Sequence, residues 1–192
     1  MAHHFFAMLS RMKYIFRWSL MRNTRTETIC EHSYETAVLA HAIALLHNKR
    51  FGGTVNVERC VLLALYHDTT EILTGDLPTP IKYDNPVLLE AYRRIETSAA
   101  EKLLNTIPND LRDDYRPLLL QSDSEERRIV KAADKLSALV KCIEELGQGN
   151  TEFQNAYTSL ETAIRQLHLP AATYFLDECI PSYKLTLDEQ TP

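Results

Sequence analysis

The sequence predicts a single all-α domain of roughly seven helices. Apolar residues recur three and four positions apart through most of the chain, which is the spacing of one helix face. The 192 residues are 45% hydrophobic and include only 5 glycines and 8 prolines, which leaves long segments uninterrupted. The sequence contains no convincing strand pattern, repeat or low-complexity stretch. One domain is expected to span 1–192, with a loose tail at 184–192.

The N-terminal half contains three of these predicted helices. Residues 4–12 form a short amphipathic pattern, and residues 33–47 carry a broad apolar face that ends before a glycine pair. A third apolar run begins at Val57, where Asn56 or Thr54 can cap it. These segments supply the first apolar faces of the core.

The C-terminal half follows a loop at 75–80 that glycine and proline enforce. Residues 86–107 are apolar on one side and charged on the other, and a shorter helical turn or helix is expected at 110–120. Ser124 caps the next helix, which runs to Gly147 and has acidic residues in its first turn. The last two predicted helices are 152–167 and 170–180.

Adjacent ionisable residues stand at the end of the apolar run from Val57. His67 and Asp68 lie where the pattern predicts core, and burying even a neutral polar group without a partner costs about 2–7 kcal/mol. A metal ion is one such partner. If the helix continues, Glu71 falls on the same face. A His-Asp pair alone is also common in ordinary core or surface positions.

Two further residues join this pair as candidates. His32 stands at the start of the helix predicted at 33–47, and Asp134 is embedded among the apolar residues of the helix that Ser124 caps. A carboxylate in an apolar stripe needs a cation. A metal site of this kind needs three or four ligands, and these residues supply them.

Composition excludes several function classes. The net charge of -5 and the lack of a basic block argue against a nucleic-acid partner. No apolar run reaches the roughly 18 residues of a membrane span, so no membrane partner is expected. The 4 cysteines are widely spaced, which indicates buried thiols in a reducing compartment, and the cytoplasm is expected.

The ordered set His, His-Asp, Asp resembles that of the HD-domain phosphohydrolase superfamily, and the chain is most similar to its bacterial 5'-deoxynucleotidases. The resemblance spans nearly the whole chain, and its most specific part is the loop Thr-Gly-Asp-Leu-Pro-Thr-Pro joined to an Arg-Trp pair and the spaced ligands. The matching stretches are 17–18, 22–23, 26–27, 31–33, 51–53, 66–68, 71–80, 131–134, 141–142 and 185–189.

This resemblance implies an all-α HD-domain fold and a role for each site residue. The metal ligands would be His32, His67, Asp68 and Asp134. Glu71 would exchange a proton with the attacking water or the leaving 5'-oxygen, and Arg17 would bind and orient the phosphate. The nucleotide would contact Arg17, Trp18, His32, Asp68, Asp76, Leu77, Pro78, Thr79 and Asp134.

Within this set, Trp18 would pack near C2' of the deoxyribose and Asp76 would accept a hydrogen bond from the 3'-hydroxyl. Without the resemblance, Arg17 and Trp18 would be interpreted as a surface arginine beside a core anchor, and Asp76 as a turn residue. No residue that would recognise the nucleobase can be named, so tolerance toward all bases is expected.

Two imidazoles and two carboxylates suit one borderline divalent cation. We expect cobalt, with manganese, zinc or copper as alternatives. The expected enzyme is a phosphoric monoester hydrolase that converts deoxyribonucleoside 5'-monophosphates to deoxyribonucleoside and phosphate, and relatives suggest a homodimer. A triphosphohydrolase or cyclic-nucleotide phosphodiesterase would need more basic residues or further histidines.

The alternative of another class is a non-catalytic helical module that binds a nucleotide or a partner and uses a structural metal. Glu71 distinguishes the two hypotheses, because a structural site closed by protein ligands has no use for a carboxylate beside an open position.

Overall fold

A computed structural model describes residues 3–82, 84–120 and 122–191, and within these ranges the chain forms α-helices and no β-strand. The helices are α1 (Phe5–Leu9), α2 (Ile29–Arg50), α3 (Val57–Leu65), α4 (Glu71–Thr74), α5 (Thr79–Lys82), α6 (Pro86–Leu104), α7 (Arg112–Leu119), α8 (Glu125–Gly147), α9 (Gln154–Gln166), α10 (Pro170–Glu178) and α11 (Leu187–Gln190). Three 3-10 helices lie at Ser10–Tyr14, Thr151–Phe153 and Ile180–Lys184.

The all-α prediction is confirmed, although the described residues form more helices than the roughly seven expected. The additional helices are short: α4, α5 and α11 have 4 residues each. One turn gives no measurable periodicity, which needs a window of about 11 residues or more. For the same reason the pattern at 4–12 divides into α1 and a 3-10 helix, and the predicted loop at 75–80 already contains the start of α5.

Side-chain caps fix where three helices begin. Thr28 and Glu31 form a reciprocal capping box, so α2 begins at Ile29 rather than at residue 33. Asn56, and not Thr54, caps α3 by accepting from the Arg59 backbone amide. Ser124 caps α8 as predicted.

The main core lies where α2, α3 and α8 pack against one another, with α9 and α10 added at its edge. Its buried side chains include Ile43, Leu63, Ile129, Leu136, Leu139, Ile164 and Leu176. A second cluster joins α1, α6 and α7 through Phe5, Leu103, Leu104, Ile107 and Leu119. Packing of α2 and α8 beside the end of α3 brings three distant parts of the chain to one place.

The cysteines do not all follow the prediction of buried thiols. Cys60 and Cys142 are buried, but Cys30 is exposed because it lies on the outer side of the first turn of α2. All of these thiols are free. Among the described helices, none combines the length and the apolar composition that a membrane span requires.

A buried carboxylate fastens the basic loop at 22–25 to α8. Glu145 is 1% exposed and accepts hydrogen bonds from the Thr24 amide and hydroxyl, the Arg25 amide, and the side chains of Lys141 and Asn150. Although burial opposes it, the Lys141 ammonium and the other donors lower the pKa of Glu145 to about 2. The charge of Glu145 therefore ties Thr24 and Arg25 of this loop to α8.

Replacing Glu145 by glutamine is expected to lower the free energy of unfolding by about 3 kcal/mol at pH 7, because the buried Lys141 ammonium loses its counterion. The folded-state pKa lies below the ordinary 4.5, so the carboxylate's contribution is complete above pH 4.5 and is lost as pH falls toward 2. Urea denaturation of both proteins at several pH values measures this difference.

The control is Glu144→Gln, which makes the same change at the exposed neighbouring residue. Its stability is expected to match that of the original protein. An equal effect of the two substitutions, or a Glu145→Gln deficit that does not shrink in acid, contradicts this account.

Candidate metal centre and substrate site

The predicted pair His67 and Asp68 lies in a turn, not on a helix. α3 ends at Leu65 and α4 begins at Glu71, so the helical continuation considered for this stretch does not occur. The backbone amide of Glu71 instead donates to the Asp68 carbonyl at 3.0 Å. The turn directs both ligand candidates toward α2 and α8.

Two imidazoles and two carboxylates meet at this point, and we name His32, His67, Asp68 and Asp134 the His-Asp cluster. Ligand atoms of His32, His67 and Asp68 all lie within 4.8 Å of one another. Asp134 Oδ1 lies 3.1 Å from His32 Nε2 and 4.0 Å from His67 Nε2. The tertiary structure therefore brings together all of the predicted metal ligands.

Hydrogen bonds on the far side of each ring fix which nitrogen faces the cluster. His67 Nδ1 donates to the Ala64 carbonyl at 2.6 Å, so Nε2 is the nitrogen that faces the cluster and that carries the lone pair when the ring is neutral. His32 Nδ1 lies 3.0 Å from the Ser137 hydroxyl, which donates to Glu35. With Glu35 ionised, Ser137 accepts from His32 Nδ1, and His32 Nε2 also presents a lone pair.

The charges and hydrogen bonds within the His-Asp cluster are not balanced by its protein groups alone. His67 Nε2 is buried, lies 3.1 Å from Asp68 Oδ2, and makes no hydrogen bond within the described part of the chain. Burial lowers the pKa of His67, but Asp68 and Asp134 outweigh it and raise the value to about 9. Burial and the Arg17 guanidinium lower the pKa of His32. Without a cation, Asp68 and Asp134 therefore keep a proton on His67, and a bound metal ion would replace that proton at Nε2.

These observations fit a divalent cation. Lone pairs and carboxylate oxygens that face one another repel unless a positive charge lies between them. Burial raises the pKa of Asp134, but the contact with His32 and the charges of both imidazoles outweigh it and lower the value to about 2, so this carboxylate is available as an anionic donor. The donor set of neutral imidazoles and carboxylates is one that borderline divalent metals accept.

Glu71 follows Asp68 by three residues and places a buried carboxyl group beside the cluster. Its side chain is 7% exposed, and Oε2 is buried without a hydrogen bond within the described ranges. Burial, together with the negative charges of Asp68 and Asp76, raises the pKa of Glu71 to about 10. Such a displaced carboxyl group is typical of proton-transfer residues.

Arg17 and Trp18 approach the cluster from the segment before α2. Arg17 Nη1 donates to Asp68 Oδ2 at 3.5 Å, while its Nε donates to Glu27 at 3.1 Å. The Trp18 indole N–H donates to the same carboxylate at 2.8 Å. Sequence reasoning assigned no role to Glu27, although the residue falls in a stretch that matches the resembling family.

The loop after α4 reaches the same place. Burial raises the pKa of Asp76, while the charge of Arg17 and the backbone of Trp18 lower it, so Asp76 lies near both residues. Leu77 and Pro78 are half-buried. The predicted contact of the Thr79 side chain lies outside the described part of the structure.

Comparison with known families finds one model that matches residues 4–183, described as 5'-deoxynucleotidase YfbR-like. A 5'-deoxynucleotidase from Vibrio cholerae is 52% identical over 188 residues, which cover 97% of both chains. The 5'-deoxynucleotidase YfbR of Escherichia coli is 50% identical and covers 97% of this chain and 94% of its own. The similarity thus extends over nearly the whole molecule.

Solved structures give the same architecture. An HD-domain phosphohydrolase from Listeria innocua superposes with a TM-score of 0.83 at 27% identity and covers 94% of this chain and 88% of its own. The HD phosphohydrolase DatZ of cyanophage S-2L, solved with dA and one catalytic Zn²⁺, superposes with a TM-score of 0.65 at 19% identity. The superposition covers 92% of this chain and 96% of DatZ. At 19% identity, this similarity supports a shared fold and nothing more.

Proposed function

The chain belongs to the 5'-deoxynucleotidase YfbR-like family of HD-domain phosphohydrolases, and we propose that its His-Asp cluster holds the divalent cation of the reaction. It is a phosphoric monoester hydrolase that converts deoxyribonucleoside 5'-monophosphates to deoxyribonucleoside and phosphate. The observation that carries the metal assignment is His67 Nε2, a buried ring nitrogen that lies 3.1 Å from Asp68 Oδ2 and has no hydrogen-bond partner among the described residues.

When bound, the cation would lower the pKa of a water molecule and offset the charge of the phosphoryl oxygens. Glu71 would act as the general acid/base, since its unpartnered Oε2 lies beside the cluster and can exchange a proton with the attacking water or the leaving 5'-oxygen. A buried carboxyl oxygen with no hydrogen-bond partner among the described residues favours a catalytic role for Glu71 over a closed structural metal site.

Arg17 would bind and orient the phosphate. Its Nε is engaged by Glu27 and its Nη1 makes only a long 3.5 Å contact with Asp68, so the end of the guanidinium near the cluster can donate to phosphate oxygens. The phosphate would then also approach the cluster residues His32, Asp68 and Asp134.

The sugar would lie between Trp18 and the loop that carries Asp76, Leu77, Pro78 and Thr79. Asp76 would accept from the 3'-hydroxyl, because its carboxyl group lies near Arg17 and Trp18. An indole against C2' leaves no space for a ribose hydroxyl, whose desolvation without a partner adds to the steric penalty. No residue that would recognise the nucleobase is identified, and tolerance toward all bases is expected.

We further propose cobalt as the preferred cation, with manganese, zinc or copper as alternatives, and a homodimer as the assembly. Tyr34 and Val38 support the dimer, because these apolar side chains are exposed one turn apart on α2. We place the activity in the cytoplasm, where free thiols persist.

Phosphate release tests this function and its cofactor together. Protein stripped of metal is reloaded with cobalt, manganese, magnesium, zinc or copper and offered a panel of deoxyribonucleoside and ribonucleoside mono- and triphosphates. Turnover is expected only with the reloaded protein and only for the deoxyribonucleoside monophosphates. Equal turnover by the stripped protein, or a preference for triphosphates, contradicts the proposal.

Replacing Trp18 by alanine is expected to abolish most of the preference for deoxyribose, because the space beside C2' becomes open to a hydroxyl group. The ratio of kcat/KM for dAMP to that for AMP should fall by at least about 10-fold, since steric and desolvation penalties together exceed about 1–3 kcal/mol. Tyr14→Ala, at an exposed aromatic in the same segment, is the control and should keep the ratio. An unchanged ratio in Trp18→Ala would show that this residue does not select the sugar.

A further inference from the structure

One buried carboxylate connects the two residues that the proposed function assigns to phosphate and sugar. Glu27 is 8% exposed, and a single oxygen, Oε2, accepts from Arg17 Nε at 3.1 Å and from Trp18 Nε1 at 2.8 Å. Its other oxygen lies 4.0 Å from His32 Nδ1. The two donors therefore share one acceptor and cannot shift independently.

Backbone contacts hold this carboxylate in place. The Arg17 amide donates to the Glu27 carbonyl at 2.9 Å, and an isolated β-bridge pairs Phe16 with Thr28. Thr28 in turn starts α2 as its cap. Glu27 is thus fixed between the segment that carries Arg17 and the helix that carries His32.

The backbone of Trp18 adds an independent observation. Trp18 has φ of 58°, a left-handed conformation that costs a non-glycine residue about 1–2 kcal/mol. Asn23 and the Met21 amide donate to its carbonyl, and the indole packs 5.2 Å from the Phe153 ring. Strain of this kind persists only where the surroundings determine the conformation, and it clusters at ligand sites.

We propose that Glu27 is a positioning residue that couples sugar selection to phosphate binding by holding the Trp18 indole and the Arg17 guanidinium in one fixed arrangement. The inference rests on the proposed function of those two residues. Because Oε2 is the shared acceptor, a change at Glu27 releases both groups together. Glu27 itself does not need to touch the substrate.

The charge of Glu27 is central to this role. A glutamine has nearly the same shape and retains a carbonyl oxygen, but a neutral acceptor binds these donors about half as strongly. Glu27→Gln is therefore expected to keep the metal and the fold while kcat/KM for dAMP falls by about 10-fold and the dAMP to AMP ratio falls as well. Glu27→Ala should extend both losses.

Trp18 supplies a readout that does not depend on activity, because it is the only tryptophan of the chain. Its emission maximum and its quenching by acrylamide report the indole directly. In Glu27→Gln the indole is expected to become more accessible to the quencher, with metal content by elemental analysis and the melting temperature recorded beside it.

The matched control is Glu152→Gln. Glu152 also accepts from an arginine of the same segment, through Arg22 Nε at 2.7 Å, but Arg22 is exposed and is not among the residues around the His-Asp cluster. This control should retain the kinetics, the sugar ratio and the emission of Trp18. A general effect of losing an arginine–glutamate pair would appear in both variants, and the proposal requires it in Glu27→Gln alone.

A double-mutant comparison separates this inference from the proposed function. Trp18→Phe keeps a ring but removes the donor to Glu27, so adding Glu27→Gln to it should lower the sugar ratio no further. If the original protein selects deoxyribose and Trp18→Ala loses that selection while Glu27→Gln keeps both the ratio and the Trp18 emission, the positioning role is refuted and the proposed function stands. If the original protein hydrolyses no deoxyribonucleotide with any metal, the proposed function fails and this inference fails with it.

Discussion

Replacing Asp134 by alanine is expected to remove the metal and nearly all phosphate release. Asp134 Oδ1 lies 3.1 Å from His32 Nε2 and 4.0 Å from His67 Nε2, so its loss leaves two imidazoles facing a single carboxylate. The affinity for cobalt should fall by more than about 100-fold, because losing even an outer partner of a ligand costs about 10–100-fold. Elemental analysis after dialysis, together with titration of cobalt into the stripped protein, measures this loss.

The matched control is Asp123→Ala, which removes an aspartate that is 97% exposed just before α8. This variant should bind metal and release phosphate as the original protein does. Full metal occupancy and activity in Asp134→Ala would show that Asp134 is not a ligand, and the metal would then have to be held by His32, His67 and Asp68 without it.

Replacing Glu71 by glutamine is expected to lower turnover as well, but with the metal kept. The carboxyl group is buried beside the cluster, and its Oε2 has no hydrogen-bond partner in the described structure. A glutamine fills the same space but can neither take nor return a proton, and kcat should fall by about 100 to 10,000-fold. The Michaelis constant for dAMP should change far less.

Single-turnover kinetics with cobalt-loaded protein test this separation, and Glu90→Gln on the exposed face of α6 is the control. Unchanged turnover in Glu71→Gln would remove this residue from the mechanism. Loss of metal from the same variant would instead make Glu71 part of the metal environment.

Periodicity and capping determined most of the fold from sequence alone. The spacing of apolar residues identified the helices that became α2, α3, α6, α8, α9 and α10, and Ser124 marked the start of α8 correctly. Long amphipathic segments are predictable because one face must be buried over many turns. The one-turn helices were not predictable, since tertiary contacts and local turns, rather than repeated spacing, hold them.

The sequence also identified the members of the His-Asp cluster, because a histidine or aspartate inside an apolar stripe needs a partner. It did not determine that His67 and Asp68 lie in a turn beyond α3, where local hydrogen bonds to Ala64 end the helical pattern. It assigned no role to Glu27, Ser137 or Glu35. A residue that acts through a neighbour leaves no periodic signal, as its partners lie up to 105 positions away along the chain.

The sequence determines which chemical groups are present. Tautomers, shared hydrogen-bond acceptors and displaced pKa values arise only when distant segments of the chain pack together. Nε2 of His67 faces Asp68 because the opposite nitrogen, Nδ1, donates a hydrogen bond to the Ala64 carbonyl. The pKa of Glu71 rises to about 10 because packing buries it beside Asp68. Burial removes water, and without water the strength and direction of each electrostatic interaction depend on distances that only the tertiary structure fixes.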